Sequence, residues 1–204
     1  MAVELRSLVD PAHTVVVTQE CQRGVIGDAA VLGDLAHVAQ AKVPHMADLV
    51  HGARAAGVQV VHCLAVRRAD DKGSNSNARL FVGTRKLGIR IQPGSSEAEV
   101  IPELGVTPSD LVLCRYHGLG PMGGTDLDAV LRNLGAKTII GVGVSVNIAI
   151  TNFAMDAVNA GYQFVLPRDA VAGVPEAYAD AVIDNTLSFI ATVTSTESIL
   201  TAWS

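Results

Sequence analysis

Short runs of β-branched and aliphatic residues alternate along this chain with longer stretches of helical periodicity, and that alternation restricts the fold more than any other feature. Parallel neighbours in a sheet must be joined by a crossover, usually a helix, so the rhythm predicts βαβ units around a parallel sheet. The strands are predicted at Thr14–Thr18, Val58–Val66, Asp110–Cys114, Thr138–Gly143 and Gln163–Pro167, with a weaker one at Ala191–Thr194. Val15-Val16-Val17 and Val60-Val61 are apolar on both faces. Central strands covered by helices on both sides require that pattern.

The helices between them carry start and stop signals. Pro44 can open one whose apolar stripe is Met46, Leu49, Val50 and Ala53, and Gly57 closes it. Thr125 and Asp128 have the spacing of a capping box ahead of Leu127, Val130, Leu131 and Leu134, with Gly135 at the end. A third helix is predicted from about Asn147 to Ala160, with Ile150, Ala154, Ala157 and Val158 on one face and Gly161 as its stop. Two stretches, Arg67–Pro93 and Arg115–Gly124, break the rhythm and follow strands.

At 204 residues the chain is expected to form one α/β domain. Its 49% hydrophobic content rules out a disordered or fibrous protein. A net charge of −5 and only 4% aromatic residues provide neither a basic field for phosphates nor rings for stacking bases, so nucleic acid is excluded as a partner. Cys21, Cys63 and Cys114 are odd in number and widely spaced, without a CxxC or Cys/His cluster. Neither a disulfide framework nor a zinc site is expected, and a reducing cytoplasm fits best. Glu4 and Arg6 precede any apolar run, which is wrong for a secretory signal. The uncharged run Thr138 to Met155 contains Gly141, Gly143, Ser145, Asn147, Thr151 and Asn152 and changes periodicity midway. It reads as a buried strand, a turn and a helix rather than a membrane span.

In open α/β sheets the ligand crevice lies beyond the carboxyl ends of the strands. Those ends hold Glu20, Cys21 and Gln22; Arg115, Tyr116 and His117; and the turn Gly143–Ala149. A carboxylate, a cation and the amides opening a helix could therefore meet there, with Glu20 as general acid or base and Arg115 holding its charge or that of a substrate carboxylate. Each residue also has a plainer reading. Glu20 can be a solvated loop acid or the partner of Arg115 or Arg23; Cys21 and Cys114 read as small buried hydrophobes, His62 as a satisfied core histidine and His117 as a surface one. Gly141-Val142-Gly143-Val144-Ser145-Val146 starts like a dinucleotide fingerprint, but Val146 stands where the third glycine is wanted, so NAD is not supported and no cofactor is expected.

Four segments, taken in order, carry a family resemblance. They are Val15-Val16-Val17-Thr18-Gln19-Glu20-Cys21-Gln22; Gly124-Thr125-Asp126-Leu127-Asp128-Ala129-Val130-Leu131-Arg132; Gly141 to Ile148 with Met155-Asp156-Ala157; and Gly161-Tyr162 with Asp169-Ala170. Together, over about Thr14 to Gly173, they resemble the isochorismatase-like hydrolases, also called the cysteine hydrolase superfamily. The resemblance implies a Rossmann-like three-layer sandwich with a six-stranded parallel sheet between helices, a non-proline cis peptide at Val144-Ser145, and a homo-oligomer, dimer or tetramer. It also implies an Asp, a Lys and a nucleophilic Cys acting on amides or carbamoyl groups.

Carried over residue by residue, the Asp falls on Glu20, the Lys on or beside Arg115 and the Cys on Ala149. The spacing from Arg115 to Gly124-Thr125 is slightly longer than the family's. Ala149 cannot form a covalent intermediate, and an arginine keeps its proton where a buried lysine can lose it. The metal ligands of the nicotinamidase branch have no counterpart in Cys63 to Asp70, so no metal is expected. Isochorismatases within the family need no cysteine, only a carboxylic acid to protonate a vinyl ether and a water to add. The expectation is therefore a hydrolase of a small molecule, one bearing a carboxylate among the candidates, that works without a thiol. Glu20 serves as acid or base and Arg115 as electrostatic anchor, with Gln22, Tyr116, His117 and Ser145 at the substrate. The alternative is a catalytically silent relative acting as a binding or assembly protein.

Overall fold

The computed structural model describes residues 4–204. Its strands are β1 (Thr14–Gln19), β2 (Gln59–Ala65), β3 (Leu111–Arg115), β4 (Thr138–Val144), β5 (Gln163–Pro167), the two-residue β6 (Val171–Ala172) and β7 (Thr192–Thr194). The helices are α1 (Leu5–Leu8), α2 (Arg23–Ile26), α3 (Gly33–Gln40), α4 (Val43–Ala55), α5 (Arg79–Lys86), α6 (Leu127–Asn133), α7 (Thr151–Asn159), α8 (Glu176–Asn185) and α9 (Thr196–Trp203). The sheet runs β3-β2-β1-β4-β5-β7, every pairing parallel, and β6 adds to the end of β4. The α/β three-layer sandwich is thus as expected, with β6 as a seventh strand beside the six.

Alternation along the strands sorts the core into two layers. Val16, Val60, Ile140 and Val142 pack with Met46, Leu49, Val50 and Ala53 of α4 and with Ile199 of α9. Val15, Val17, Val61 and Ile139 pack on the other face with Leu127 and Leu131 of α6, Phe153, Ala154 and Ala157 of α7 and Val182 and Ile183 of α8. Burying a Leu, Ile or Val side chain contributes about 1.5–3 kcal/mol, and both layers hold many of them. The stripe predicted from Pro44 onward is buried at all four positions. Thr138 to Met155 forms β4, a turn and α7, and among the described residues no helix is long and apolar enough to cross a membrane.

Three local expectations are corrected. The capping box does not form: Thr125 Oγ1 accepts from the Leu127 amide at 3.2 Å, but Asp128 is turned to the Tyr162 hydroxyl at 2.9 Å, a tertiary partner, and to Arg132 Nε at 3.1 Å, one turn on in the same helix. Val158 lies outside the buried stripe, 38% exposed. Ile150 donates to the Ser145 carbonyl five residues back at 3.0 Å, so a wide π-turn (Val146–Ile150) precedes α7 and rotates the face. Cys114 is exposed rather than buried, because β3 is the outer strand of the sheet.

Candidate active site

The strand order reverses direction between β1 and β4, the place where an open parallel sheet leaves its crevice. Gly143 marks how tightly the chain is drawn in there. Its φ is +109°, and a Cβ on it would lie 2.2 Å from the Gln19 carbonyl oxygen, so only glycine lets β4 end against β1. The next peptide, Val144-Ser145, is cis.

Leaving β1, the chain turns at Glu20, whose φ of +52° is uncommon for a residue with a side chain, and whose amide donates to the Cys63 carbonyl at 2.9 Å. Backbone in such a region is held only where the surroundings dictate it, and such residues cluster at sites. Here the turn directs the carboxylate at Arg115, the last residue of β3, and Arg115 Nη2 donates to Glu20 Oε1 in a tight ion pair. Gln19 Nε2 donates to the same oxygen at 2.7 Å, while Oε2 has no protein partner. The pair is set deep: the Arg115 side chain is 6% exposed and that of Glu20 20%. Nε and Nη1 of Arg115 have no hydrogen-bond partner.

Glu20 and Arg115 line a cavity of about 240 Å³ together with Tyr116, His117, Ser145 and Ala149. Its far wall comes from the segment after β2, including Arg67, Leu80 and Phe81. Six of the seven residues expected at catalytic or substrate positions therefore converge on one space. Gln22 does not: it is fully buried, its Nε2 donates to the Ala65 carbonyl at 3.1 Å and its Oε1 accepts from the Ala65 amide at 2.8 Å. It clamps the end of β2 instead of facing a ligand. Arg23 is likewise remote from Glu20 in its pairing, being bound by Asp28 at 2.8 Å and Glu99 at 3.1 Å.

The thiols do not supply a displaced nucleophile. None of Cys21, Cys63 and Cys114 is among the residues lining the cavity. Burial, with the charge of Glu20 adding to it, pushes the Cys21 thiol up to about 12. Burial does the same to Cys63, also to about 12, against a smaller opposing pull from Arg115. Such thiols are inert near neutrality. Thr151 is spent too, its hydroxyl donating to the Val146 carbonyl at 2.6 Å. His62 sits in the core as expected, fully buried, with Nδ1 2.8 Å from the Thr18 hydroxyl. Among the described residues no group of His, Cys, Asp or Glu is placed to hold a metal ion.

Arg67 is a charged residue of the cavity wall that strand-end reasoning missed. Seven of the fifteen lysines and arginines fall in the 67–93 stretch, a signal that was present in its composition.

A parallel sheet with an acid after β1 and a cation at the end of β3 defines an α/β fold with a cavity at the strand ends. The chain belongs to the isochorismatase family: residues 14–198 match the Isochorismatase domain. It is 36% identical over 104 residues to the uncharacterized isochorismatase family protein YwoC of Bacillus subtilis, covering 48% of this chain and 52% of that one. It is 28% identical over 177 residues to the ureidoacrylate amidohydrolase RutB of Rhizobium rhizogenes, covering 78% of this chain and 70% of that one. The match to the first of these relatives spans about half of that protein's length. The crystal structure of a cysteine hydrolase from Pseudomonas syringae pv. phaseolicola superposes with a TM-score of 0.84 at 22% identity, over 96% of this chain and 94% of that one, which shows a shared fold.

Proposed function

We propose that this family member hydrolyses a small molecule without a cysteine nucleophile. One observation carries the reading: Glu20 is fixed through Oε1 by Arg115 and Gln19, while Oε2 is left without a protein partner at the cavity. A positioned carboxylate with one occupied and one unoccupied oxygen can exchange a proton with a bound molecule or with the water that attacks it. In the base direction Oε2 takes a proton from water as the water oxygen bonds to the electrophilic carbon, and returns it to the departing group. In the acid direction the protonated carboxyl gives its proton to the carbon of an enol ether, water bonds to the resulting oxocarbenium carbon and returns a proton to Glu20, and the hemiketal collapses with cleavage of its C–O bond to a carbonyl compound and an alcohol. Arg115 keeps its charge throughout and serves as anchor, not as proton shuttle. Ala149 stands where the resemblance puts the family's thiol, so water rather than a side chain is the nucleophile.

A panel of enol ethers, activated esters and amides tests this. Wild type is expected to turn over at least one class, and Glu20→Gln to lose 10²–10⁴-fold of that rate, roughly 3–5 kcal/mol of barrier. If wild type and Glu20→Gln are equally inert across the panel, the second reading replaces it. That reading is a binding or assembly role, favoured by Ala149 together with a cavity wall without thiols.

A further inference from the structure

The two outer strands of the sheet are β7 and β3. β7 is three residues long, which gives another strand little to pair with. β3 is Leu111-Val112-Leu113-Cys114-Arg115 and is open on both faces, with Leu111 38% exposed and Val112, on the opposite face, 45% exposed. Edge strands are ordinarily blunted by a lysine, a proline, a bulge or a covering loop. β3 has no lysine or proline, and its one charge, Arg115, is turned into the cavity. It pairs with β2 in unbroken register from Val61↔Leu111 to Ala65↔Arg115, so it has no bulge. In place of a covering loop an open groove of about 410 Å³ runs beside it, lined by Val112, Leu113, Cys114, Pro121 and Thr125.

One hydrogen bond fixes which way the backbone groups of β3 point. The Val66 amide donates to the Arg115 carbonyl at 2.9 Å, so Arg115 faces β2. The N–H and C=O of a strand residue point to the same side, and successive residues alternate. Leu111 and Leu113 therefore also face β2, while Val112 and Cys114 face outward. Among the described residues nothing bonds to the amide or the carbonyl of either one. These free donors and acceptors flank Leu113 symmetrically, which makes them self-complementary. A second β3, run antiparallel about a two-fold axis at Leu113, sets Val112 opposite the partner's Cys114 and Cys114 opposite the partner's Val112. Each such pair exchanges both of its hydrogen bonds, and every free group on both copies is satisfied. No charged side chain in 111–114 opposes its copy, and leucine meets leucine at the axis.

We infer that the β3 edge is an interface between two copies of this chain, joined antiparallel about Leu113 into one continuous sheet. The family resemblance implies only that copies associate; the free groups of β3 specify the surface, the symmetry and the register. Nothing in this pairing depends on whether the cavity hydrolyses anything. An isologous contact uses up the edge on both copies, so association closes at the dimer and does not run on as a fibre. Because β3 ends at Arg115, the pairing also braces the strand that carries Arg115 to Glu20.

Sedimentation velocity of the wild-type chain over about 1–200 μM tests it. A reversible dimer is expected, with its midpoint in the micromolar range because a short edge makes a small interface. Val112→Pro removes an outward amide that the monomer does not use, so the fold is expected to persist while the midpoint rises about tenfold or more. Val112→Lys sets a charge against the edge of the copy and is expected to act the same way with an ordinary backbone, which keeps the test open if the proline variant fails to fold. Leu113→Cys in a Cys114→Ser background reads the register. The introduced thiols face each other across the axis with Cα atoms about 4.5 Å apart, and copper phenanthroline with dissolved oxygen is expected to link them. The wild-type Cys114 positions lie on the diagonal, about 7–8 Å apart, and are expected to stay unlinked. A wild-type chain that is monomeric throughout the series overturns the inference and leaves the edge to a strand of another protein. A dimer whose midpoint neither Val112 variant moves overturns it as well. A dimer that the Leu113→Cys thiols do not link overturns the two-fold axis at Leu113.

Discussion

Arg54 and Asp110 meet on one side of the sheet with the carboxylate fully used. Nε and Nη2 of the arginine grip the two carboxylate oxygens at 3.1 and 2.7 Å, the Thr107 amide adds a bond at 2.7 Å, and Arg54 Nη1 is taken by the Leu104 carbonyl at 2.9 Å. Arg115 and Glu20 meet at the strand ends in a looser economy, with one carboxylate oxygen and two guanidinium nitrogens unpartnered. The Asp110 side chain is 1% exposed, and that of Glu20 is 20%. Closing every bond is what a structural ion pair needs to offset the cost of leaving water. The two unpartnered Arg115 nitrogens are themselves buried, so the position this pair leaves open to an incoming molecule is Glu20 Oε2.

The largest effect that would separate the two pairs is kinetic. Glu20→Gln should remove 10²–10⁴-fold of turnover, while Asp110→Asn should leave the kinetic constants of the remaining folded protein near wild type. Steady-state assays of both variants against one substrate check this. A comparable loss in Asp110→Asn would erase the distinction.

Stability should show the reverse order. Asp110→Asn breaks a bidentate buried pair and should cost about 3–5 kcal/mol in urea unfolding. Glu20→Gln should cost no more than about half of that, since its amide oxygen can still accept from Arg115 and the cavity admits water.

A pH dependence sharpens the buried side further. Burial holds His62 below the ordinary histidine range, with Asp110 pulling it upward and Arg54 pushing it down again. Its Nε2 is 3.6 Å from Asp110 Oδ2, too long for a hydrogen bond. The folded chain therefore binds that proton less readily than the unfolded chain. Stability should be intact above the unfolded histidine value of about 6.5 and fall as pH drops through it, by up to about 1.4 kcal/mol per pH unit from this group. Asp110 adds a second decline at lower pH. Burial works to raise it, but the hydrogen bonds from Arg54 and the Thr107 amide outweigh that and hold it below the usual carboxylate range. Unfolding midpoints of wild type and His62→Asn across this range check it; parallel curves would mean that His62 contributes nothing.

The smallest effect belongs to an exposed pair. Arg168 binds Asp184 at 2.6 Å on the surface of α8, and Asp184→Ala should shift the unfolding midpoint by no more than the error of measurement, and less still in high salt. A shift on the scale of Asp110→Asn would break the link between burial and cost on which the comparison rests.

The two regions also differ in how far the chain alone announced them. The strand positions, the stripe of α4 and the convergence of Glu20, Arg115, Ser145 and Ala149 were legible, because hydrophobic periodicity is local and parallel sheets put their loops at one end. His62 was legible as a core histidine for the same reason. Its neighbour Asp110 was read only as the start of a strand, since nothing local brings it to Arg54, fifty-six residues away.

What the amino-acid sequence determined by itself is the α/β order of elements, the two apolar layers and the set of strand ends from which a site can be built. Only the tertiary structure decided which partner each charge takes: Arg115 rather than Arg23 for Glu20, the Ala65 backbone rather than a ligand for Gln22, Tyr162 rather than a helix cap for Asp128. It also decided that β3 lies at the sheet edge, exposing Cys114, and that Asp71 gathers three arginines over the cavity. Apolar burial follows from patterns a few residues long. A hydrogen bond or ion pair needs two groups placed within a few tenths of an ångström by elements far apart in the chain, and that placement exists only once the sheet order is set.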